Sequence, residues 1–167
     1  MGIFGDYIET TAFKENGRLD HAAMLKKTQE YIAGGVNVIC EAAFTYYGNY
    51  CTVDILRRNG DGWDIYEVKN CPEVEEQFIK DTAFQRYIAY KSGLKIKRCH
   101  IIYHGADENN PFVIKDVTAR VRGYYKYVDD NIWRLGKVKF QKEEVVEPIG
   151  EHCECPYRCW YWDVCHK

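Results

Sequence analysis

The stretch "YCTVDILRRNGDGWDIYEVKN" restricts the fold more than any other part of this chain. Its two halves are rich in β-branched and aromatic residues, and they flank the turn sequence Asn59-Gly60-Asp61-Gly62. A turn of this kind between two extended runs strongly indicates a β-hairpin. The upstream run "NVICEAAFTYY", which is followed by a turn at Gly48-Asn49, predicts another strand. The sequence therefore predicts a three-stranded meander.

Helical patterns precede and follow the meander. Asp20 is a suitable N-cap for a helix from about His21 to Ala33, and Gly34-Gly35 would end that helix. The segment "EVEEQFIKDTAFQRYIAYKSG" places apolar residues at helical spacing and ends near Gly93. The meander is therefore predicted to lie between two helices along the chain.

Extended and helical segments follow one another toward the C-terminus. "KIKRCHIIYH" predicts a strand, "PFVIKDV" predicts a further short one, and a long helix is predicted from Asp116 or Thr118 to about Leu135. This order of elements is typical of an α/β fold in which helices flank a mixed central sheet. We expect residues 1–150 to form one domain, and residues 151–167 to form a tail packed on it.

Length and charge limit the classes of protein to consider. A chain of 167 residues is long enough to bury a core without disulfides, and its formal charge of −2 argues against a histone-like nucleic-acid binder. A local basic groove remains compatible with that charge. The sequence has no apolar run long enough to span a membrane, and its start lacks the pattern of a secretory signal. We therefore expect an intracellular, cytoplasmic protein that does not bind membranes.

Acidic residues and one lysine fall on the predicted strands of the meander. Glu67 and Lys69 are two positions apart, so their side chains leave the same face of one strand. The hairpin can bring Asp54 close to Glu67, and Glu41 could join them from the first strand. Charged strand residues usually face solvent, but these have apolar neighbours, and a buried acid needs a partner or a metal. Carboxylates beside a lysine suit Mg²⁺ or Mn²⁺, which can polarise a phosphodiester.

The same residues resemble a known family. "VDILRRNGDGWDIYEVKN" is similar to the D-x(n)-E-x-K core of the PD-(D/E)xK nuclease superfamily, and it is closest to the RecB-type branch. "VICEAAF" resembles the acidic first motif of several members, and "DTAFQRYIAYKSG" resembles their glutamine-tyrosine helix. The resemblance implies a restriction-endonuclease-like fold and metal-dependent hydrolysis of phosphodiester bonds in DNA.

The resemblance also implies roles for single residues. Asp54, Glu67 and the backbone carbonyl near Val68 would be metal ligands, and Glu41 would be an additional acid. Lys69 would be the catalytic lysine, and Gln85 would be a helper that contacts the lysine or the DNA. The tyrosine that relatives carry four positions after this glutamine is replaced by Ala89. The role of that tyrosine therefore does not carry over.

Four of the eight cysteines lie in the C-terminal stretch "HCECPYRCWYWDVC", at positions Cys153, Cys155, Cys159 and Cys165. Four thiolates can hold one zinc ion or one 4Fe–4S cluster. Disulfides are the other alternative, which an intracellular location disfavours. The other four cysteines are predicted to be buried thiols in or near strands, namely Cys40, Cys51, Cys71 and Cys99.

This stretch resembles the iron–sulfur segment that follows the core of some RecB-type nucleases, among them the CRISPR adaptation nucleases and the AddB nuclease domain. Those proteins usually take three cysteines from the C-terminus and one from an N-terminal segment, whereas no cysteine precedes Cys40 here. The resemblance implies a structural 4Fe–4S cluster on the four C-terminal cysteines, with zinc as the alternative. The fourth ligand stays open between Cys155 and a residue outside the stretch.

Basic and aromatic residues recur in the second half of the chain. Lysine and arginine can neutralise phosphates, and aromatic rings can stack on unpaired bases. The candidate phosphate contacts are Lys95, Arg120, Arg122 and Lys126, each of which could equally be an ordinary solvated charge. We expect DNA as the partner, single-stranded or with a free end, and further protein partners or domains stay open. The alternatives are a non-catalytic DNA-binding or assembly module, and a redox or zinc protein in which the acidic cluster is incidental.

Overall fold

The computed structural model describes residues 4–105, 111–143, 148–155 and 157–166. Six strands form one sheet: β1 Ile8–Glu9, β2 Val38–Tyr46, β3 Asn49–Asn59, β4 Gly62–Val68, β5 Ile96–His104 and β6 Phe112–Asp116. Their order across the sheet is their order along the chain. The meander of β2, β3 and β4 is antiparallel, β1 runs parallel to β2, β5 runs parallel to β4, and β6 is antiparallel to β5. The predicted mixed sheet is confirmed.

The helices are α1 His21–Ala33, α2 Glu76–Lys91, α3 Thr118–Gly123, α4 Tyr125–Phe140 and α5 Trp162–Cys165, with one 3₁₀ turn at Glu151–Cys153. α1 has the predicted bounds, and the Asp20 carboxylate caps it by accepting a hydrogen bond from the Ala23 N–H at 3.1 Å. α2 connects the parallel strands β4 and β5, which need a crossover of this length. The predicted α/β fold with flanking helices is therefore confirmed.

The single long helix predicted after β6 is wrong. The helix ends at Gly123, and a new one begins at Tyr125 after Tyr124, whose ψ is 0°. Glycine has one of the lowest helix propensities, so the break falls where continuing the helix is least favourable. The buried side of α1 contains Met24 and Thr28, whereas Ala22 is exposed.

The core lies between the sheet and α2. The predicted apolar face of α2 is buried at Ile79, Ala83, Ile88 and Ala89, and it belongs to one cluster with sheet residues that include Leu56, Ile65 and Ile101. Each leucine or isoleucine of this cluster contributes about 1.5–3 kcal/mol by leaving water, and each alanine contributes less. This packing fixes α2 against the face of the sheet that carries the acidic residues.

The chain divides into two compact units, Met1–Trp133 and Arg134–Lys167. All six strands lie in the first unit, and all four C-terminal cysteines lie in the second. The domain boundary near residue 150 and the packing of the tail stay predictions. No helix within the described ranges is long and apolar enough to cross a membrane.

Candidate active site

Three carboxylates occupy one row across the meander. The β3–β4 register pairs Ile55 with Tyr66, so the next position along it places Asp54 opposite Glu67. The β2–β3 register pairs Cys40 with Ile55, so the position beside Asp54 on β2 is Glu41. Neighbouring strands lie about 4.8 Å apart, so opposed side chains on one face interact. The register therefore places the three acids that the sequence predicted in neighbouring positions of one row.

Glu67 is held by two side chains. Its Oε1 lies 2.8 Å from Lys69 Nζ, and its Oε2 accepts a hydrogen bond of 2.6 Å from Gln85 Nε2 on α2. Asp54 is held by the backbone, because its Oδ2 accepts a hydrogen bond of 2.7 Å from the Val68 N–H. The acidic pair is thus fixed by groups from β4, from the residue that follows it, and from α2.

Burial makes the charged forms of Asp54 and Glu67 costly. It raises the pKa of both carboxyl groups, and for Asp54 the hydrogen bond from the Val68 N–H opposes the increase. The charge of Asp54 raises the pKa of Glu67 further, and the contacts with Lys69 and Gln85 lower it by less. Glu67 is only 5% exposed, so water solvates its charge poorly. The pair therefore gains stability from a proton or from a cation.

Lys69 remains protonated at neutral pH. Burial alone would lower its pKa, but hydrogen bonds and charge interactions with Glu67 and Asp81 outweigh burial and raise it. Its Nζ lies 3.2 Å from Asp81 Oδ2 and 5.3 Å from the centre of the Phe78 ring. Lys69 is thus a fixed positive charge beside Glu67, and a protonated amine cannot act as a general base.

Glu41 sits on a strained part of β2. Its φ is +54°, a left-handed conformation that costs a non-glycine residue about 1–3 kcal/mol. The Thr10 hydroxyl donates a hydrogen bond to the Glu41 carbonyl, and the Thr10 N–H donates to Cys40 O at 3.1 Å. Burial raises the pKa of the Glu41 carboxyl, and a hydrogen bond with Thr52 lowers it in part. The segment that contains β1 therefore braces the strained position.

These residues fit a divalent cation that keeps part of its water shell. Asp54 and Glu67 supply oxygen ligands, and Mg²⁺ is usually bound through one or two carboxylates plus waters. Both pKa values stay raised although Lys69 is near, so Lys69 offsets the cost of ionising the two carboxyl groups only in part. Among the described residues, no three side chains of His, Cys, Asp or Glu are grouped closely enough to hold a metal. Glu41 thus lies beside the pair rather than converging with it.

Two contacts of the site were missed from the sequence. Asp81 forms an ion pair with Lys69, and the side chain of Thr52 forms a hydrogen bond with the Glu41 carboxyl group. Asp81 lies four residues before Gln85, so the two share one face of α2, and this spacing was a usable signal. No local pattern marks Thr52, whose role follows only from the pairing of β2 with β3.

The tyrosines near Gln85 do not contact the acidic row. Ala89 is buried in the core, and Tyr87 donates its hydroxyl hydrogen to Asp129 on α4. Tyr90 is about half exposed, with its ring 6.4 Å from the ring of Tyr125. Neither Tyr87 nor Tyr90 thus takes the place of the tyrosine that the RecB-type nucleases carry four positions after the glutamine.

An exposed aromatic surface lies beyond the C-terminal half of α2. Four rings of this surface are about a third to a half exposed, namely Tyr47, Tyr90, Tyr125 and Trp133. The ring of Tyr47 lies 4.9 Å from that of Trp133. Lys91 Nζ lies within 6 Å of the rings of Tyr87 and Tyr125. Rings beside a cation can bind stacked bases together with phosphates.

The four predicted phosphate contacts all have partners within the protein. Arg120 pairs with Glu76, Arg122 donates to the Lys97 carbonyl, Lys126 pairs with Asp130, and Lys95 pairs with Asp61. Surface pairs of this kind contribute about 0–1 kcal/mol, so each remains able to exchange its partner for a phosphate. A role for them in DNA binding stays a prediction.

All eight cysteines are free thiols. In the C-terminal segment, the Cys159 N–H donates to the Cys153 carbonyl at 2.8 Å, which closes a loop between these two positions. Cys153 is buried and Cys159 half-buried, whereas Cys155 and Cys165 are exposed. Throughout the described part of the chain, the four sulfurs do not form a metal-holding group. Four thiols are suitable ligands for a 4Fe–4S cluster or a zinc ion, but their present arrangement does not let them bind either one together.

No known protein family and no curated protein matches this sequence. Among solved structures, the chain is similar to the crystal structure of a "Putative exonuclease" from Eubacterium rectale, with 11% sequence identity and a TM-score of 0.41. The match covers 83% of this chain and 67% of that chain. At this identity and score the similarity does not bear on function, which must be inferred from the site itself.

Proposed function

We propose that this protein is a metal-dependent deoxyribonuclease. The row of Glu41, Asp54 and Glu67, with Lys69 bound to Glu67, is the observation on which the proposal depends. Acids with raised pKa values beside a fixed cation are typical of catalytic sites and unusual in the interior of a sheet. The order of the three motifs along the chain, which resembles the RecB-type nucleases, supports the same assignment.

The protein's own residues would bind and position the reactants. A bound Mg²⁺ or Mn²⁺ would supply polarisation of the phosphodiester and activation of water. Asp54 and Glu67 would hold that ion, together with the backbone carbonyl near Val68. Gln85 fixes the orientation of Glu67, and Asp81 fixes that of Lys69. Because Lys69 stays protonated, we assign it to stabilising negative charge on the phosphate as the bond breaks.

The aromatic surface supports a substrate with unpaired bases. Each base stacked on an aromatic ring contributes about 1–3 kcal/mol, and a duplex keeps its bases stacked on one another instead. Tyr90 lies five residues beyond Gln85 on α2, which corresponds to about 7.5 Å along the helix axis. We therefore propose single-stranded DNA, or duplex DNA with an unpaired end, as the substrate.

We propose a separate, structural role for the four C-terminal cysteines as ligands of a 4Fe–4S cluster, with zinc as the alternative. Four free thiols within thirteen residues support it, as does the loop that joins Cys153 to Cys159. Binding would require the four sulfurs to converge, because within the described residues they do not form a metal-holding group. Iron, sulfide and zinc analysis after anaerobic purification tests this role independently of cleavage.

Cleavage of end-labelled single-stranded DNA with Mn²⁺ tests the proposed activity. Asp54→Asn and Lys69→Met should each slow cleavage by about 10²–10³-fold, a typical loss for a removed catalytic charge. Asp61→Asn is the matched control, because Asp61 is an exposed carboxylate in the β3–β4 turn that contacts only lysines. DNA binding without cleavage by the wild type, across several divalent metals, would instead favour the non-catalytic module.

A further inference from the structure

A polar pocket lies on the face of the sheet opposite the acidic row. The registers align Arg57, Asp64 and Arg98 across β3, β4 and β5, and the next row on that face contains Tyr66 and His100. Asp54 is three positions from Arg57 on β3, and Glu67 is one position from Tyr66 on β4. Because side chains alternate between the two faces of a strand, Asp54 and Glu67 leave the other face. This pocket, which we call the arginine pocket, is therefore separate from the proposed nuclease site.

The arginine pocket has the size and charge to bind an anion. Its volume is about 260 Å³, roughly nine times the share of one water molecule in the liquid. On this face its charged lining consists of Arg57 and Arg98 against Asp64, which leaves a formal charge of +1, because the guanidinium of Arg58 lies over the Trp63 ring instead. Little apolar surface lines it, so an apolar ligand would gain little by entering.

Two of the arginines have hydrogen-bond donors to spare. Within the described residues, the Arg98 guanidinium makes no hydrogen bond or ion pair, and that of Arg57 only covers the Phe4 ring at 5.2 Å. Arg58 is committed, because it donates to the Ile32 carbonyl at 3.2 Å and stacks on the Trp63 ring. A guanidinium presents several N–H groups in a fork that matches phosphate oxygens.

Asp64 does not neutralise these arginines directly. Its Oδ2 accepts a hydrogen bond of 2.9 Å from Asn59 Nδ2, and its Oδ1 accepts one of 3.1 Å from the Arg98 backbone N–H. No ion pair joins Asp64 to an arginine in the part of the chain described. The carboxylate therefore fixes the backbone and the turn, and it leaves the guanidinium groups available.

His100 is an independent sign of a missing ligand. It is 8% exposed, stacks on Tyr66 at 4.4 Å between ring centres, and lines the arginine pocket. Its Nδ1 is buried and has no hydrogen-bond partner, and its Nε2 is 4.0 Å from Asp116 Oδ2. A buried polar atom without a partner costs about 1–3 kcal/mol, so a ring rotation that brought Nδ1 to a ligand oxygen would recover that loss.

We propose that the arginine pocket binds a phosphate group, with Arg57 and Arg98 as the principal donors and His100 as a third. The phosphate would belong either to a free small anion or to a nucleic-acid backbone. The proposal does not depend on the nuclease activity, because the pocket lies on the other face of the sheet and needs no divalent metal.

Titration of the full chain with inorganic phosphate tests the proposal, in chelator and without divalent metal. Calorimetry measures affinity, and the side-chain ¹⁵N signals of His100 report whether binding reaches the pocket. We expect Arg98→Gln to weaken binding about tenfold, the loss of one charge-assisted contact. Arg18→Gln removes the same charge from an exposed site elsewhere and should bind as the wild type does.

A second arm identifies the source of the phosphate. The same three proteins are titrated with a short single-stranded oligonucleotide in chelator. Weaker oligonucleotide binding by Arg98→Gln assigns the pocket to a nucleic-acid backbone, and an effect on inorganic phosphate alone assigns it to a small anion. Either result supports a phosphate site. Equal affinities of Arg98→Gln and the wild type for both ligands, or no binding by the wild type, would overturn it.

Discussion

Glu67→Gln should stabilise the metal-free protein, although it removes the ion pair with Lys69. Burial and the nearby charge of Asp54 raise the pKa of Glu67 above its ordinary value of 4.5. The carboxyl group therefore contributes fully to folding stability below pH 4.5, and that contribution is lost as pH rises through the raised pKa. The glutamine side chain stays uncharged at every pH, and the uncharged form is the one that the buried site favours. At pH 7 the variant should thus be the more stable protein.

The size of this effect follows from linkage. Each unit by which the pKa of Glu67 is raised corresponds to about 1.4 kcal/mol at neutral pH, and each kcal/mol shifts Tm by about 2–4 °C in a chain of this size. The new amide can be accommodated, because the Oε1 of Gln85 is buried without a hydrogen-bond partner. Rotation of the Gln85 amide would let that oxygen accept from the new NH₂ group, while Lys69 keeps its own acceptor.

A divalent cation should reverse the order of stability. Binding to the folded state alone adds about 2.7 kcal/mol at a metal concentration of about 100 times Kd, or about 5–10 °C in Tm. The wild type should show this shift. Glu67→Gln has lost one of the two carboxylates of the pair and should lose most of it.

Thermal unfolding followed by circular dichroism measures both effects, in chelator and with Mn²⁺, at pH 7 and at pH 4. Asp61→Asn again serves as the control and should keep the full shift with Mn²⁺. Below pH 4.5 the difference between the wild type and Glu67→Gln in chelator should disappear. A lower Tm of Glu67→Gln in chelator at pH 7, or a shift with Mn²⁺ equal to that of the wild type, would refute the reasoning.

Three further outcomes follow from single contacts. Burial raises the pKa of Cys51 and Cys99 to about 12, so only about 10⁻⁴ of each is thiolate at pH 8. Mass spectrometry after alkylation in chelator should therefore find the exposed C-terminal thiols labelled first. Early labelling of Cys51 and Cys99 would contradict this prediction. Asp81→Asn frees Lys69 on one side and should lower the single-turnover cleavage rate about tenfold without altering substrate affinity; an unchanged rate would remove Asp81 from the site. Tyr87→Phe loses the hydrogen bond to α4 and should lower the free energy of unfolding, measured in urea, by about 1 kcal/mol. A variant as stable as the wild type would show that this hydrogen bond does not contribute to stability.

The meander and its acids were predictable because their signals are local. The turn at Asn59-Gly60-Asp61-Gly62 sets the register of β3 on β4, and that register alone places Asp54 opposite Glu67. The Asp20 cap likewise fixed the start of α1. Gln85 required a resemblance to other proteins, because its contact with Glu67 depends on how α2 packs.

Other features depend on tertiary structure and could not be predicted. The left-handed backbone at Glu41 is held by Thr10, more than thirty residues earlier in the chain. The arginine pocket forms only because β4 and β5 align Asp64 with Arg98, and nothing in the sequence joins these segments. Cysteine spacing predicts how many ligands are near one another, but it does not predict the orientation of their sulfurs.

Single-turnover cleavage of an end-labelled single strand by the wild-type chain tests the central claim most directly. With Mn²⁺ the account predicts labelled fragments, and with excess chelator it predicts intact strand. It also predicts that Glu67→Gln, which keeps the fold, leaves the strand intact in Mn²⁺. Cleavage that persists in chelator, or a wild-type rate in Glu67→Gln, would contradict the assignment of the acidic row as a metal-dependent nuclease site.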